Sequence, residues 1–445
     1  MLCSRYQWRI FLMALAIAGT VHGQSSWRAL LNAPVARQNE RFDDVFFLNP
    51  MTGWVVNLPQ NKIFKTIDGG ESWVEQATLG SVFLRSIGFA NEQLGWTGNL
   101  NFHNNPIARR SLFETRDGGA TWANISNRIA GPDPAGICGL WVVNERLVYG
   151  VGRWNGPPMF IKSADGGMNW TFLDLRPLVT GLVDAFFFSA DSGLIVGGKG
   201  VGSSLAEQGA SQAVILFTAD GGQTWKTVYE STAKGKWCWK ISFPTRTIGY
   251  VATQGPNGDG IILKTTDGGM TWQEKFVGAG LGFSGIGFAT SERGWVGSLG
   301  SYETSNGGES WQEVANIGRL INRFRMLSPT LGYAVGQTVY KFSPGQPSAV
   351  SDDNGSPPRE FTLSQNHPNP FNASTTISYT LKQSSFVELS VYDVRGQTVA
   401  TFIRERQSNG KYSVQLNDLK LPSGVYFYKL STNSFVATKK MILLR

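Results

Sequence analysis

At 445 residues the chain has room for two or three domains and a sizeable core. Glycine (53) and tryptophan (15) are abundant and charged residues are few (16%), which is the composition of a turn-rich all-β protein. The formal charge of +8 sits in the first 23 residues and in residues 361–445, and basic and acidic residues balance between 24 and 360, so nothing here argues for nucleic acid as a partner.

Arg5 and Arg9 precede an apolar run from Ile10 to Ala18, and Val21-His22-Gly23 offers a small-residue cleavage site. Residues 1–23 therefore read as an export signal. The run is too short to span a membrane, and no later stretch is long and apolar enough to do so. No Cys follows the cleavage site, which speaks against a lipoprotein anchor there.

From 24 to 343 one unit recurs. Its signature, Ser/Thr-x-Asp-Gly-Gly-x-x-Trp, occurs six times: Thr66–Trp73, Thr115–Trp122, Ser163–Trp170, Thr218–Trp225, Thr265–Trp272 and Thr304–Trp311. Asp68, Asp117, Asp165, Asp220 and Asp267 occupy the acidic position, with Asn306 in the last copy. Paired glycines accept positive φ, and the Asp carboxylate and the hydroxyl bind turn amides, so each copy predicts a tight hairpin. The Trp then lands on the returning strand, facing the gap to a neighbouring sheet. A Gly-aromatic marker precedes the hairpins, as in Gly53-Trp54, Gly95-Trp96, Gly249-Tyr250, Gly294-Trp295 and Gly332-Tyr333, with looser versions at Tyr149 and Gly193. A short apolar strand lies upstream of each marker, for example Val45-Phe46-Phe47 and Ile286-Gly287-Phe288. Four short strands per unit predict a propeller blade, and seven markers predict seven blades. The last unit lacks its outer strand, and Ser26-Trp27-Arg28 looks like the missing piece, so the N-terminal strand is expected to close the ring.

Asn99–Arg110, which contains His103, and Gly197–Gln212 interrupt the repeat. Gly198-x-Gly200-x-Gly202 does not open a helix and reads as a mobile loop rather than a phosphate cradle, and no cofactor is implied. Cys138 and Cys238 lie in units two apart and out of register, which reads as two buried thiols. Residues 344–360, with Ser-Pro-Gly-Gln-Pro and Asp-Asp-Asn-Gly-Ser-Pro-Pro, form a solvated linker. Residues 361–445 alternate in six short runs, Thr376–Leu381, Phe386–Asp393, Thr398–Ile403, Lys411–Leu416, Gly424–Leu430 and Phe435–Leu444, as expected for an immunoglobulin-like β-sandwich.

The repeats resemble the Asp-box propellers, also called BNR repeats. The pairing of Gly-Trp strands with Asp-Gly-Gly hairpins is most similar to the seven-bladed photosystem II assembly factors and their non-photosynthetic relatives. That resemblance implies structural hairpins at the blade periphery and an arginine-rich surface that holds a partner polypeptide. Arg41, Arg85, Arg323 and Arg325 lie on or beside the first strands of three blades that neighbour one another across the ring closure, with Asp43 and Asp44 at hand to pair with them. Residues 361–445 resemble the C-terminal sorting domain of type IX secretion cargo. Leu363–Asn372, Thr375-Thr376-Ile377, Val391–Gln397, Leu421–Tyr426 and Thr438–Leu444 carry the likeness in the family's order. It implies recognition by the outer-membrane translocon and a destination at the cell surface or outside the cell.

Two functions stand against each other. One is a non-enzymatic binding module with a protein or glycan ligand at the propeller face. The other is a secreted glycoside hydrolase, sialidase-like or glucan-active. Hairpin carboxylates are committed to their turns and cannot form the spaced pair that hydrolysis needs, which leaves Asp43, Asp44, Asp184 and Asp259 as candidates and no assignable catalytic residue. Beyond the export signal there are only His103 and His367, too few for a His-based triad or metal site. Trp237 and Trp239 flank Cys238 as a possible stacking platform for sugar or peptide, or as packing between blades.

Overall fold

Each Asp-Gly-Gly turn closes on its own side chains. In the first, Gly69 and Gly70 have φ of 71° and 92°, where a Cβ would be strained. Thr66 Oγ1 accepts from the Gly70 amide at 2.9 Å, and Asp68 Oδ1 accepts from the Ser72 amide at 2.9 Å. The pattern repeats through the last copy, where Asn306 Oδ1 takes the Ser310 amide at 3.0 Å. The turn Trp meets the neighbouring blade as expected in two copies, where Trp170 packs edge-on against Trp96 and Trp225 against Phe160 of the preceding blade, and behaves differently in others. Trp73, Trp122 and Trp311 donate back into their own turns and pack edge-on against Phe47, Phe89 and Phe288 of their own blades.

Face-to-face stacking between blades falls to the Gly-aromatic marker. Tyr333 stacks on Phe47 of the next blade at 3.5 Å, Trp54 on Phe89 at 3.6 Å and Tyr250 on Phe288 at 3.5 Å. Tyr333 also donates to the Gly69 carbonyl at 3.1 Å, and Trp54 to the Gly118 carbonyl at 3.3 Å, so the ring clasps the neighbouring Asp-Gly-Gly turn. The marker glycine is required because the paired phenylalanine lies over it: a Cβ on Gly53 would come within 2.6 Å of Phe47.

The computed structural model describes residues 26–58, 60–80, 82–100, 110–200, 209–343, 361–372, 374–417 and 421–444. The expected signal at 1–23, the expected linker at 344–360, His103, Gly202 and the centres of both insertions lie outside the described residues. Seven four-stranded antiparallel sheets form a propeller, with inner strands Arg41–Phe47, Phe83–Phe89, Gly139–Val142, Gly181–Phe187, Trp237–Ser242, Gly285–Phe288 and Arg323–Ser328 for blades 1 to 7. Blade 7 takes its outer strand from Ser26–Ala29, which pairs with Val339–Ser343 in the register Trp27↔Phe342. Trp27 is buried against Trp295 of blade 6 and Phe324 and Phe342 of blade 7, so the closure is a packed core and not only a hydrogen-bonded edge.

After the propeller comes a β-sandwich. One sheet holds Thr362–Leu363, Ser374–Leu381 and Gly410–Asn417, and the other holds Thr398–Gln407, Ser385–Tyr392, Gly424–Thr432 and Val436–Leu443. Ile377, Tyr379, Leu389, Tyr428 and Met441 form the core between them. Both propeller cysteines are free and buried.

Candidate functional site

The inner strands line the axis of the propeller. A bulge recurs near the start of four of them and throws Asp43, Arg85, Val183 and Trp239 out of the pairing ladder. The residues next in line share one register against their second strands: Asp44, Ser86, Gly139, Asp184, Lys240, Gly285 and Arg323. Repeats thus stack unlike charges at one level of the axis.

Arg323 joins that level into one network. Its Nε donates to Asp44 of blade 1 at 2.9 Å, and its two terminal nitrogens reach Asp184 of blade 4 at 2.8 and 2.9 Å. Burial disfavours the guanidinium charge, but Asp184 and Asp44 outweigh it and hold the Arg323 pKa above its usual value. Burial likewise works against ionised Asp184, and Arg323 and Lys240 win, keeping its pKa below the usual carboxylate range. Arg85 is hydrogen-bonded to Asp43, and Asn322 donates to the Asp43 carbonyl at 2.7 Å. Lys240 is fully buried, 4.0 Å from Asp184, and its Nζ has no hydrogen-bond partner among the described residues. Desolvation, then Arg323, bring its pKa down to about 8.

The arginines expected at a partner surface therefore have separate fates. Arg85 and Arg323 are only 5% and 7% exposed and face carboxylates inside the axis. Arg325 lies over the Phe46 ring and donates to the Val45 carbonyl at 3.3 Å. Arg41 reaches Asp43 at 3.2 Å and keeps 28% of its side chain exposed. Asp259 accepts from the Gly280 amide at 3.2 Å, away from the other carboxylates. Among the described residues, no group of His, Cys, Asp and Glu is placed to hold a metal ion.

Antiparallel order puts the Asp-Gly-Gly turns and the first hairpin of every blade on one face, as the Gly69 amide to Met51 carbonyl bond shows. The links between blades fall on the opposite face, where the Ala36 amide meets the Gln337 carbonyl. Trp239 stands at that second face, half-buried, its Nε1 donating to Gln254 at 3.2 Å. Trp154, from a blade 3 loop, lies 6.4 Å away at 41°, so two indoles from different blades meet beside the axis. Trp237 is 5% exposed and covers Gly198, which makes it packing. Sequence reasoning missed Lys240 and Trp154. Stacking the inner strands by their Gly-aromatic markers would have put Lys240 in the column of Asp44, Asp184 and Arg323, but Trp154 sits in a loop outside the repeated signature.

Residues 366–444 match the family described as secretion system C-terminal sorting domain. They mark the chain for type IX export to the cell surface or the extracellular space. No curated protein matches the sequence. Among solved structures, YCF48 bound to D1 peptide is 18% identical with a TM-score of 0.51, over 70% of this chain and 94% of that one. PorZ, an essential bacterial surface component of the type-IX secretion system of Porphyromonas gingivalis, is 13% identical with a TM-score of 0.50, over 92% of this chain. This chain spans 60% of PorZ. Virginiamycin B lyase from Staphylococcus aureus is 10% identical with a TM-score of 0.53, over 72% of this chain and 99% of that one. At these identities the likeness is one of fold, and this fold serves both binders and enzymes. Among the described residues, no helix is long and apolar enough to cross a membrane.

Proposed function

We propose that the chain is an exported binding module. On this reading residues 1–23 direct export, 24–343 form the binding propeller, 344–360 link the two parts, and the outer-membrane translocon recognises 361–445. The propeller captures its ligand on the face opposite the Asp-Gly-Gly turns, at the axis mouth beside Trp154, Trp239 and Arg41. The observation that carries this reading is the state of the axial carboxylates. Asp44 and Asp184 are engaged by Arg323, and Asp43 by Arg85 and Arg41, so these three do not form the free pair facing a cleft that glycoside hydrolysis requires. The paired indoles and the half-exposed Arg41 suit a ligand with a flat or apolar group and a negative charge. A polypeptide is favoured, since the similar YCF48 propeller holds a D1 peptide.

The test is capture at the native cell surface by the full chain and by Trp154→Ala/Trp239→Ala, alongside a screen of glycans for binding and cleavage. The double variant should retain its melting temperature and lose capture of the identified ligand by at least about tenfold, equivalent to about 1.4 kcal/mol. Undiminished capture, or turnover of a glycan by the wild-type chain, overturns the reading.

A further inference from the structure

The two sheets of the sorting sandwich have unlike outer faces. Along the three-stranded sheet the outward positions are Thr376, Ser378 and Thr380 paired with Gln415, Ser413 and Lys411, as expected of a face that meets water. On the four-stranded sheet Tyr392 pairs with Phe427, and both are half-buried on the side away from the core residues Val391 and Tyr428. The next positions in register add Lys440 opposite Phe427, and Thr438 opposite Lys429. A groove of about 290 Å³ lies over this face, with Tyr392, Phe427, Lys429 and Thr438 as its floor and Asp393, Val394 and Gly396 as its wall.

The wall is a built turn. Asp393 Oδ1 accepts from the Arg395 and Gln397 amides, both at 2.9 Å, and Gly396 has a φ of 79°. The turn holds Val394 with 70% of its surface exposed beside the groove. Asp393 is occupied by those amides, whereas Lys429 and Lys440 have no carboxylate partner among the described residues. An aromatic floor with uncompensated ammonium groups is complementary to an apolar side chain flanked by carboxylates.

We infer that this groove is the docking point for an acidic segment of the secretion machinery that carries an aromatic or aliphatic anchor residue. The inference rests on the reading of residues 361–445 as the part recognised for export, and it names the surface and the partner's chemistry. The anchor seats between Tyr392, Phe427 and Val394, and its flanking carboxylates meet Lys429 and Lys440. Polar loss at the rim slows recognition, and loss of the floor removes it.

The test expresses the full chain in cells that possess the export route and measures its distribution between periplasm and exterior. Lys429→Glu/Lys440→Glu and Tyr392→Ala/Phe427→Ala are compared with wild type and with a chain ending at Ser343, and melting temperatures of the purified chains are recorded. Lys429 and Lys440 project outward, so the charge reversal leaves the sandwich folded and is the decisive variant. The expected result is at least a tenfold rise in the periplasmic fraction for the charge reversal with its melting temperature unchanged, and a larger rise for the aromatic pair. Wild-type export by both double variants, with the truncated chain held in the periplasm, overturns the groove and leaves the sorting assignment standing. Wild-type export by the truncated chain overturns both.

Discussion

The rim of the propeller and its axis are built on opposite principles. At the rim the bonds that shape each turn repeat from copy to copy and lie within one short segment, as between Thr115, Asp117, Gly119 and Thr121. At the axis one arginine gathers carboxylates from blades 1 and 4, and the residues at that level run from Asp and Arg to Lys, Ser and Gly. The rim carboxylates are exposed to water, and the axial ones are buried. The difference teaches where each kind of polar group exerts its effect. Repeated local bonds shape a blade one at a time, whereas unlike charges brought together at one level fasten blades that are far apart in sequence.

Cutting the axial fastening should have the largest effect. Arg323→Met strands Asp44 and Asp184 in the interior, and breaking a buried pair in this way costs about 3–5 kcal/mol. A urea or thermal melt of the propeller measures it, and a loss below about 1 kcal/mol would place the network among incidental ion pairs. The rim should respond less. Asp117→Ala removes bonds to the Thr121 amide and hydroxyl and is expected to cost about 1 kcal/mol, whereas Asp117→Asn should be nearly silent, since Asn306 serves the same turn in blade 6.

Acid sharpens the same contrast. Hydrogen bonds from Thr121 hold Asp117 down to about 2, bonds from Asn169 hold Asp165 there, and those from Thr224 do so for Asp220. A carboxyl group whose folded pKa is depressed contributes stability that is full above its ordinary value of 3.8 and is lost as the pH falls through about 2. Melting temperatures of the wild type should therefore drop across that window. A chain carrying Asn at Asp117, Asp165 and Asp220 should drop less, and an equal drop in both would remove the turns as the acid-sensitive element.

The smallest effect belongs to Lys240. Its folded pKa of about 8 lies below the usual 10.5, so the unfolded chain binds the extra proton between those values and wild-type stability rises as the pH climbs through them. Lys240→Met should change stability at neutral pH by less than about 1 kcal/mol and abolish that rise. A large loss at neutral pH would mean that the ammonium is an essential counter-charge to Asp184.

The rim was readable in advance because its physics is local. Asp-Gly-Gly followed by Trp carries the φ angles, the acceptors and the donors in one segment, and the Gly-aromatic markers counted the blades. The closure by Trp27 followed from a blade that lacked one strand. The path of the turn Trp followed only for Trp170 and Trp225, since whether an indole meets its own blade or its neighbour depends on rings such as Phe47 under Tyr333, which no single repeat contains. Arg85 and Arg323 look alike in the sequence to Arg41, and burial alone separates them.

The amino-acid sequence by itself determined an all-β chain, seven blades closed by their own first strand, and a sorting sandwich after them, because hairpin propensity and register act over a few residues. The tertiary structure alone decided which charges meet. Asp44, Asp184 and Arg323 are separated by most of the propeller's length, and only the circular arrangement of the blades brings them within hydrogen-bonding distance, away from water, where one arginine can hold two carboxylates.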